Sequence, residues 1–277
     1  MGKGNIVVTG ASTGIGRACG FRFAELGYRS LAGVRKPSDG QALKVDSAGK
    51  IEPILLDVTS AQSIEGALKE VGDQLLAGLV NNAGIAILGP LELLSVDSWR
   101  RQFEVNVIGL VAVTQALLPL LWRAKGRIVN IGSIAGRSAL PGSGAYDSSK
   151  FALEAITDVL RMELDAWGIS VSLIEAGAVA TPIWEKSLRE ADDLSRQVAG
   201  DRYALYNSLM AKVKKEAVES ARHAAPVEAV VKAVEHAMTA RKPKTRYLVG
   251  RDTWFWLLLN LLPDRWRDAV ILGKIHA

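Results

Sequence analysis

Short runs of β-branched and apolar residues alternate with longer amphipathic stretches from the start of the chain. The first junction between them is a glycine-rich turn, Thr9-Gly10-Ala11-Ser12-Thr13-Gly14-Ile15-Gly16. This alternation constrains the fold more than any other feature. A strand that feeds a helix and returns beside itself builds a parallel sheet through right-handed crossovers. Strands are expected near residues 5–9, 29–34, 51–56, 77–81, 127–132, 169–175 and 246–249, and helices near 15–26, 61–75, 99–122, 146–167 and 226–239.

The fold class this implies is α/β, a Rossmann-like, doubly wound parallel sheet of about seven strands in a single domain over 1–277. In such sheets ligands bind beyond the carboxyl ends of the strands, where strand order reverses. The glycine turn lies at such an end. Gly10, Gly14 and Gly16 allow a tight turn and close approach of a pyrophosphate, while the free N–H groups of the helix start, with Ser12, Thr13 and Ile15 beside them, favour an anion. A dinucleotide site is therefore expected between the first strand and first helix.

Composition narrows the class further. About half of the 277 residues are apolar, enough for a large core, and no Pro/Gly/Ser-rich linker or repeat divides the chain. Cys19 is the only cysteine, which excludes an intrachain disulfide and CxxC metal spacing. With no signal-peptide pattern before Ile6-Val7-Val8, a reducing, cytoplasmic location is expected. The net charge of +5 comes from the last stretch, where eight Lys/Arg face three Asp/Glu from Arg241 onward. No zinc-finger, basic-zipper or RNA-recognition pattern accompanies it, so nucleic acid is not an expected partner.

Further motifs fall at the remaining strand ends. Asp57-Val58 follows the third strand and Asn81-Asn82-Ala83-Gly84 the fourth; Asn106 lies in the next helix, Ser133 follows the fifth strand, and Tyr146 precedes Lys150 by four residues. Together with the GxxxGxG turn, this set resembles the short-chain dehydrogenase/reductase family over roughly residues 3–182. The resemblance implies a nicotinamide-dependent oxidoreductase with Asn106, Ser133, Tyr146 and Lys150 as catalytic residues. Tyr146 would exchange a proton with substrate oxygen, Ser133 would hydrogen-bond that oxygen, Lys150 would hold the nicotinamide ribose, and Asn106 would help to position a relay water. It also implies cofactor contacts from Asn82, Ala83, Gly84, Asp57 and Val58, with Asp57 at the adenine; a helix-cap role for Asp57 or Thr59 is the alternative.

At positions i and i+4, Tyr146 and Lys150 share a helix face one turn apart. A free phenol titrates near pH 10. A neighbouring ammonium favours the phenolate, so Lys150 is expected to activate Tyr146.

The second strand ends in Gly33-Val34-Arg35-Lys36, without a carboxylate before Asp39. A guanidinium there suits a 2′-phosphate, so NADP(H) is favoured over NAD(H), with Arg35 as determinant; the alternative is that Arg35 and Lys36 only solvate a turn. After the sixth strand the family commonly has Pro-Gly. This chain has Glu175-Ala176-Gly177-Ala178-Val179-Ala180-Thr181, so Ala176 replaces the proline while Gly177, Val179 and Thr181 keep the expected contacts near the nicotinamide.

Residues 182–223 contain no strand signal, only helical stretches near 185–194 and 202–221, and are expected to form a substrate lid. Its Ile183, Trp184, Leu188, Leu205, Tyr206 and Met210, with an uncharged edge at Leu140-Pro141-Gly142-Ser143-Gly144, point to a bulky apolar alcohol or carbonyl substrate. The narrower resemblance is to the hydroxysteroid and retinol dehydrogenase branch. The tail, 251–277, carries Trp254-Phe255-Trp256-Leu257-Leu258-Leu259-Asn260-Leu261-Leu262. Nine residues do not span a bilayer. They can pack on the body or a second subunit, or rest at a membrane interface. The resemblance implies a homodimer or homotetramer. A carrier-linked 3-ketoacyl reductase and a non-enzymatic dinucleotide sensor are the rival readings; with no G-x-S-x-G elbow and no nucleophile motif beside His223, His236 and His276, hydrolase chemistry is not expected.

Overall fold

The computed structural model describes residues 3–197 and 200–276. Seven strands, β1 (Asn5–Val8), β2 (Arg29–Val34), β3 (Ile51–Leu55), β4 (Leu76–Asn81), β5 (Arg127–Ile131), β6 (Ser170–Ala176) and β7 (Arg246–Val249), form one sheet in the order β3-β2-β1-β4-β5-β6-β7. All pairs are parallel. The central strand shows why the sequence reads as unbroken apolar runs. Val7 pairs with Leu31 on one side and Leu79 on the other. Its side chain enters the core on one face of the sheet, while Ile6 and Val8 enter the core on the opposite face, so neither face meets water.

Helices α1 (Gly14–Glu25) and α10 (Val227–Thr239) cover one face; α3 (Ala61–Val71), α5 (Gly109–Ala124) and α6 (Gly144–Asp165) cover the other. All seven expected strands are present, but two helical expectations change. A helix α2 (Pro37–Asp46) escapes the periodicity because it buries only Gly40 and Leu43. The single helix expected near 99–122 is α4 (Val96–Phe103), a five-residue π-helical turn (Glu104–Ile108) and α5. The π-turn puts one extra residue into the helix at Asn106, a distortion that often marks a site.

Between β6 and β7 the chain forms α7 (Ile183–Gln197), α8 (Gly200–Ala204) and α9 (Asn207–Arg222). The tail is two helices, α11 (Thr253–Leu259) and α12 (Asp264–His276). Trp256, Leu259 and Ile271 bury themselves against Ile134 and Leu140, so the tail packs on the body beside the end of β5.

Candidate active site

Strand order reverses between β2-β1 and β4-β5, and a cleft of about 870 Å³ opens at the carboxyl ends there. Most residues expected to bind or react line it: Gly10, Ser12, Thr13, Gly14, Ile15, Arg35, Asp57, Val58, Asn82, Ala83, Gly84, Ser133, Tyr146, Lys150, Gly177, Val179 and Thr181. Gly16 and Asn106 do not line it and act from behind its wall.

The glycine turn is shaped for close approach of its neighbours. Gly10 has φ +63°, and a Cβ there would lie 2.8 Å from the Ala83 Cα. A Cβ on Gly16 would come within 2.5 Å of the Gly10 carbonyl. Asn82 locks the turn from β4: its Nδ2 donates to the carbonyls of Thr9 and Gly10, both at 3.0 Å, and the Thr9 hydroxyl accepts from the N–H groups of Asn82 and Ala83 at 2.9 Å. Thr9 is a site-building residue the sequence reading passed over. Asn81, next to it, donates to Thr114 and Asn130, tying β4 to α5 and β5.

Asp57 lines the cleft but does not cap α3. Its Oδ1 accepts from the N–H and hydroxyl of Thr59 at 3.0 and 2.8 Å, a local turn, and the cap is Ser60, whose side chain accepts from the Ser63 N–H. At the end of β2, Arg35 and Lys36 are exposed on the cleft rim and have no ion-pair partner among the described residues. The residues present fit a phosphorylated dinucleotide: a turn that only glycine permits, a free helix N-terminus at Gly14, and two unpaired cations.

On the opposite wall, Ser133 leaves β5 with extended backbone, accepts from the Ala135 N–H and donates to the Ala176 carbonyl, both at 3.2 Å. Ser133 and Tyr146 line the same cleft. Tyr146 is buried, and burial pushes the phenol up to about 12, with the Ser133 hydroxyl pulling the other way and the Asp147 carboxylate adding to the rise. Lys150 lies one turn further on; its Nζ is 5.7 Å from the Tyr146 ring centroid and donates to the Ile131 carbonyl at 2.9 Å. Burial pulls this ammonium down to about 8, against the attraction of Glu154. Burial is the largest influence on the phenol, and it opposes the lowering expected from Lys150.

Asn106 uses both donors of its amide, to the Ile85 carbonyl at 3.0 Å and the Ser149 hydroxyl at 3.1 Å, and accepts from the Ile85 N–H at 2.9 Å. Gln102, four residues earlier, clasps the same segment through Ile85 and Ile87. Together they fix the stretch beyond Gly84, whose Ile85 and Ala86 form part of the cleft wall. Gln102 and Ser149 were not foreseen, although Gln102 and Asn106 share a helical spacing that could have flagged them.

The lid contributes less than its sequence suggests. Ile183 and Trp184 line the cleft, together with Lys186, Ser187 and Glu190, whereas Leu188, Leu205, Tyr206 and Met210 do not. Met210 packs with Tyr203 and Leu93, Tyr206 bonds Glu92, and Leu205 points to solvent. The segment Leu140 to Gly144 is likewise covered, by α9 over Gly142 and by the tail over Leu140.

The model of the short chain dehydrogenase family matches residues 4–192. The chain belongs to the short-chain dehydrogenase/reductase family. Among members of this family, it is 37% identical to retinol dehydrogenase 5 of Homo sapiens over 96% of its length and 87% of the relative's. It is 36% identical to an NADPH-dependent 3-dehydrocapnine reductase of Ornithobacterium rhinotracheale, over 95% and 94% of the two chains. A short-chain dehydrogenase from Streptomyces avermitilis superposes with a TM-score of 0.77 at 25% identity, covering 99% of this chain and 97% of that one. The protein is accordingly an NAD(P)-dependent short-chain dehydrogenase/reductase that interconverts alcohol and carbonyl groups, in the retinol dehydrogenase-like branch.

Proposed function

We propose that this short-chain dehydrogenase/reductase prefers NADP(H) and acts on a bulky apolar ketone, aldehyde or alcohol. The observation that carries the reading is the meeting of Ser133, Tyr146 and Lys150 on one wall of a cleft whose other end holds the glycine turn and the unpaired Arg35. A bound nicotinamide dinucleotide supplies or accepts the hydride at carbon. Tyr146 gives or takes the proton at the substrate oxygen, and Ser133 holds that oxygen. Lys150 grips the nicotinamide ribose, and Asn106 with the π-turn orders the relay behind it. Arg35, helped by Ser12, binds the 2′-phosphate, a contact an acidic side chain would oppose. Asp57, Val58 and the Asn82-Ala83-Gly84 turn would hold the adenosine, and the Gly177, Val179 and Thr181 backbone would hold the nicotinamide.

An apolar substrate is supported by Ile183 and Trp184 at the cleft and by the similarity to a retinol dehydrogenase. The NADPH-dependence in the other relative's name supports the cofactor choice. We place residues 182–223 as a lid that closes on such a substrate. The tail exposes Trp254, Phe255, Leu258 and Leu261, while Arg251 and Arg265 beside them have no ion-pair partner among the described residues, which supports docking on an anionic membrane surface. Exposed Trp122, Phe151, Met162 and Trp167 on and beside α5 and α6 support a homodimer, and the buried, free Cys19 supports a cytoplasmic setting.

Binding of NADPH and NADH to the purified protein, followed by oxidation of the bound cofactor with steroid, retinoid, aliphatic and ketoacyl carbonyls, tests the reading. Tight NADPH binding with turnover of a bulky ketone is expected. Turnover confined to carrier-linked ketoacyl thioesters would replace the substrate assignment, and no binding of either cofactor would overturn the whole. Co-sedimentation with anionic lipid vesicles and light scattering after gel filtration check the membrane and dimer proposals.

A further inference from the structure

Residues 82–88, which leave β4 and run along the cleft, belong to no helix or strand. A buried stretch of this kind has to find other partners for its N–H and C=O groups, because an orphaned buried group costs about as much as a lost hydrogen bond. Two side-chain amides supply them. Asn106 takes both polar groups of Ile85. Gln102 takes the next pair: its Nε2 donates to the Ile85 carbonyl at 2.9 Å, and its Oε1 accepts from the Ile87 N–H at 2.8 Å. One residue of a parallel strand would pair with this backbone in the same pattern. The residues so gripped include Ile85 and Ala86, which line the cleft.

Gln102 is 0% exposed, a costly place for an amide unless its atoms are partnered. Its Nε2 also reaches the Ser149 hydroxyl at 3.4 Å, and Ser149 donates to the Tyr146 carbonyl at 2.6 Å. None of these partners carries a charge. The ionisable groups nearby are engaged elsewhere, Arg101 with Glu190, Asp147 with Leu140 and Ser143, and Lys150 with Ile131, while Glu104 is exposed.

The two halves of the wall have separate anchors. Asn82-Ala83-Gly84, on the dinucleotide side, is locked to the glycine turn by Thr9 and by the Asn82 amide, without help from Gln102. The half beyond it packs among the elements around Tyr146 and the lid. Ile85 and Ile87 share a cluster with Ala145, the residue before Tyr146, and with Leu194 of α7. The Gly89 N–H donates to the Gly142 carbonyl at 2.8 Å, and a Cβ on Gly89 would lie 2.6 Å from Leu194 Cδ2.

We propose that Gln102 is a positioning residue that sets substrate specificity, its amide holding Ile85–Ile87 as the wall against which the substrate's carbon skeleton lies beside Tyr146. The role rests on the substrate site proposed above.

The test compares wild type, Gln102→Leu and Gln102→Glu in KM and kcat for a bulky and a small ketone, and in Kd for NADPH, at about pH 6 and about pH 8.5. Leucine keeps most of the volume and makes none of the hydrogen bonds. KM for the bulky ketone should rise about tenfold, the scale of one or two buried hydrogen bonds, with less change for the small ketone and in kcat, and NADPH affinity within about twofold. Gln102→Glu adds a readout that space-filling would not move. A protonated carboxyl accepts from Ile87 and donates to Ile85 as the amide does, whereas the carboxylate has no donor. Burial favours the neutral form. KM relative to wild type should therefore stay near one at the lower pH and climb towards the Gln102→Leu value at the higher.

A lower Tm with KM unchanged in both variants overturns the inference, as does a KM ratio for Gln102→Glu that ignores pH, or a loss of NADPH affinity in step with KM. If the leucine variant does not fold, Gln102→Glu decides alone, because both pH values are read on one protein. No ketone reduction by the wild type would instead overturn the underlying reading before any variant is compared.

Discussion

Lys150 donates its ammonium proton to the main-chain carbonyl of Ile131 at 2.9 Å, the last residue of β5 and two residues before Ser133. One bond therefore sets the distance between the helix that carries Tyr146 and the strand end that carries Ser133.

The same burial makes Lys150 sensitive to pH. Its folded-state value is depressed to about 8 from 10.5, so the folded protein sheds this proton before the unfolded chain does. The sign follows: buried as an ammonium, Lys150 costs stability below about pH 8, and the cost fades as pH rises towards 10.5. Lys150→Met should abolish turnover yet raise Tm at pH 7, with a smaller gain at pH 10. Thermal unfolding at the two pH values checks this, and a fall in Tm at pH 7 would contradict it.

Tyr146→Phe removes the hydroxyl and keeps the buried ring. Turnover should fall at least about a hundredfold, the usual scale of a lost general acid, while NADPH affinity stays within about twofold. Fluorescence titration with NADPH alongside steady-state rates separates the two effects. Loss of binding with chemistry intact would remove Tyr146 from the proposed role.

Arg35→Ala should weaken NADPH binding by about ten- to a hundredfold, the worth of one or two charge-assisted hydrogen bonds, and leave NADH nearly unchanged. Equal losses for both cofactors would make Arg35 a general rim charge.

Asp147 is 3% exposed, and its Oδ2 accepts from the Leu140 N–H and the Ser143 hydroxyl, both at 2.7 Å. Burial nonetheless pushes the carboxyl up to about 7 from 3.8. The folded state holds the proton more tightly than the unfolded chain, so the stability this group contributes is full below about pH 4 and lost as pH rises through about 7. Asp147→Asn keeps an acceptor oxygen and drops the charge. Its Tm relative to wild type should therefore increase from pH 5 to pH 8, and a difference that does not vary with pH would sink the argument.

Much of the site was legible because its chemistry needs particular residues at strand ends. The glycine turn, the Asn82-Ala83-Gly84 segment, Ser133 and the Tyr146–Lys150 pair announce themselves by order and spacing, and the parallel fold brings every strand end to one edge. Other features left no local trace. Helix α2 buries too little to print a period, and the π-turn at Asn106 is a one-residue insertion that apolar periodicity does not resolve. Thr9 and Gln102 act through pairs of hydrogen bonds to backbone on other elements, Thr9 to Asn82 and Ala83 and Gln102 to Ile85 and Ile87. The lid misled for a different reason: Met210 and Tyr206 are apolar enough to line a cleft, but Leu93 and Glu92 claim them first.

The sequence by itself determined the doubly wound sheet and the identity of the reacting groups, because both follow from local periodicity and from side-chain chemistry at fixed spacing. Only the tertiary structure decided how deeply those groups are buried and the company they keep. Burial depends on what the rest of the chain lays over a residue. Thus the phenol of Tyr146 rises although a lysine sits one turn away, and Glu154, Glu175, Arg137 and Arg246, separated by up to about a hundred residues, meet in one ion-pair cluster.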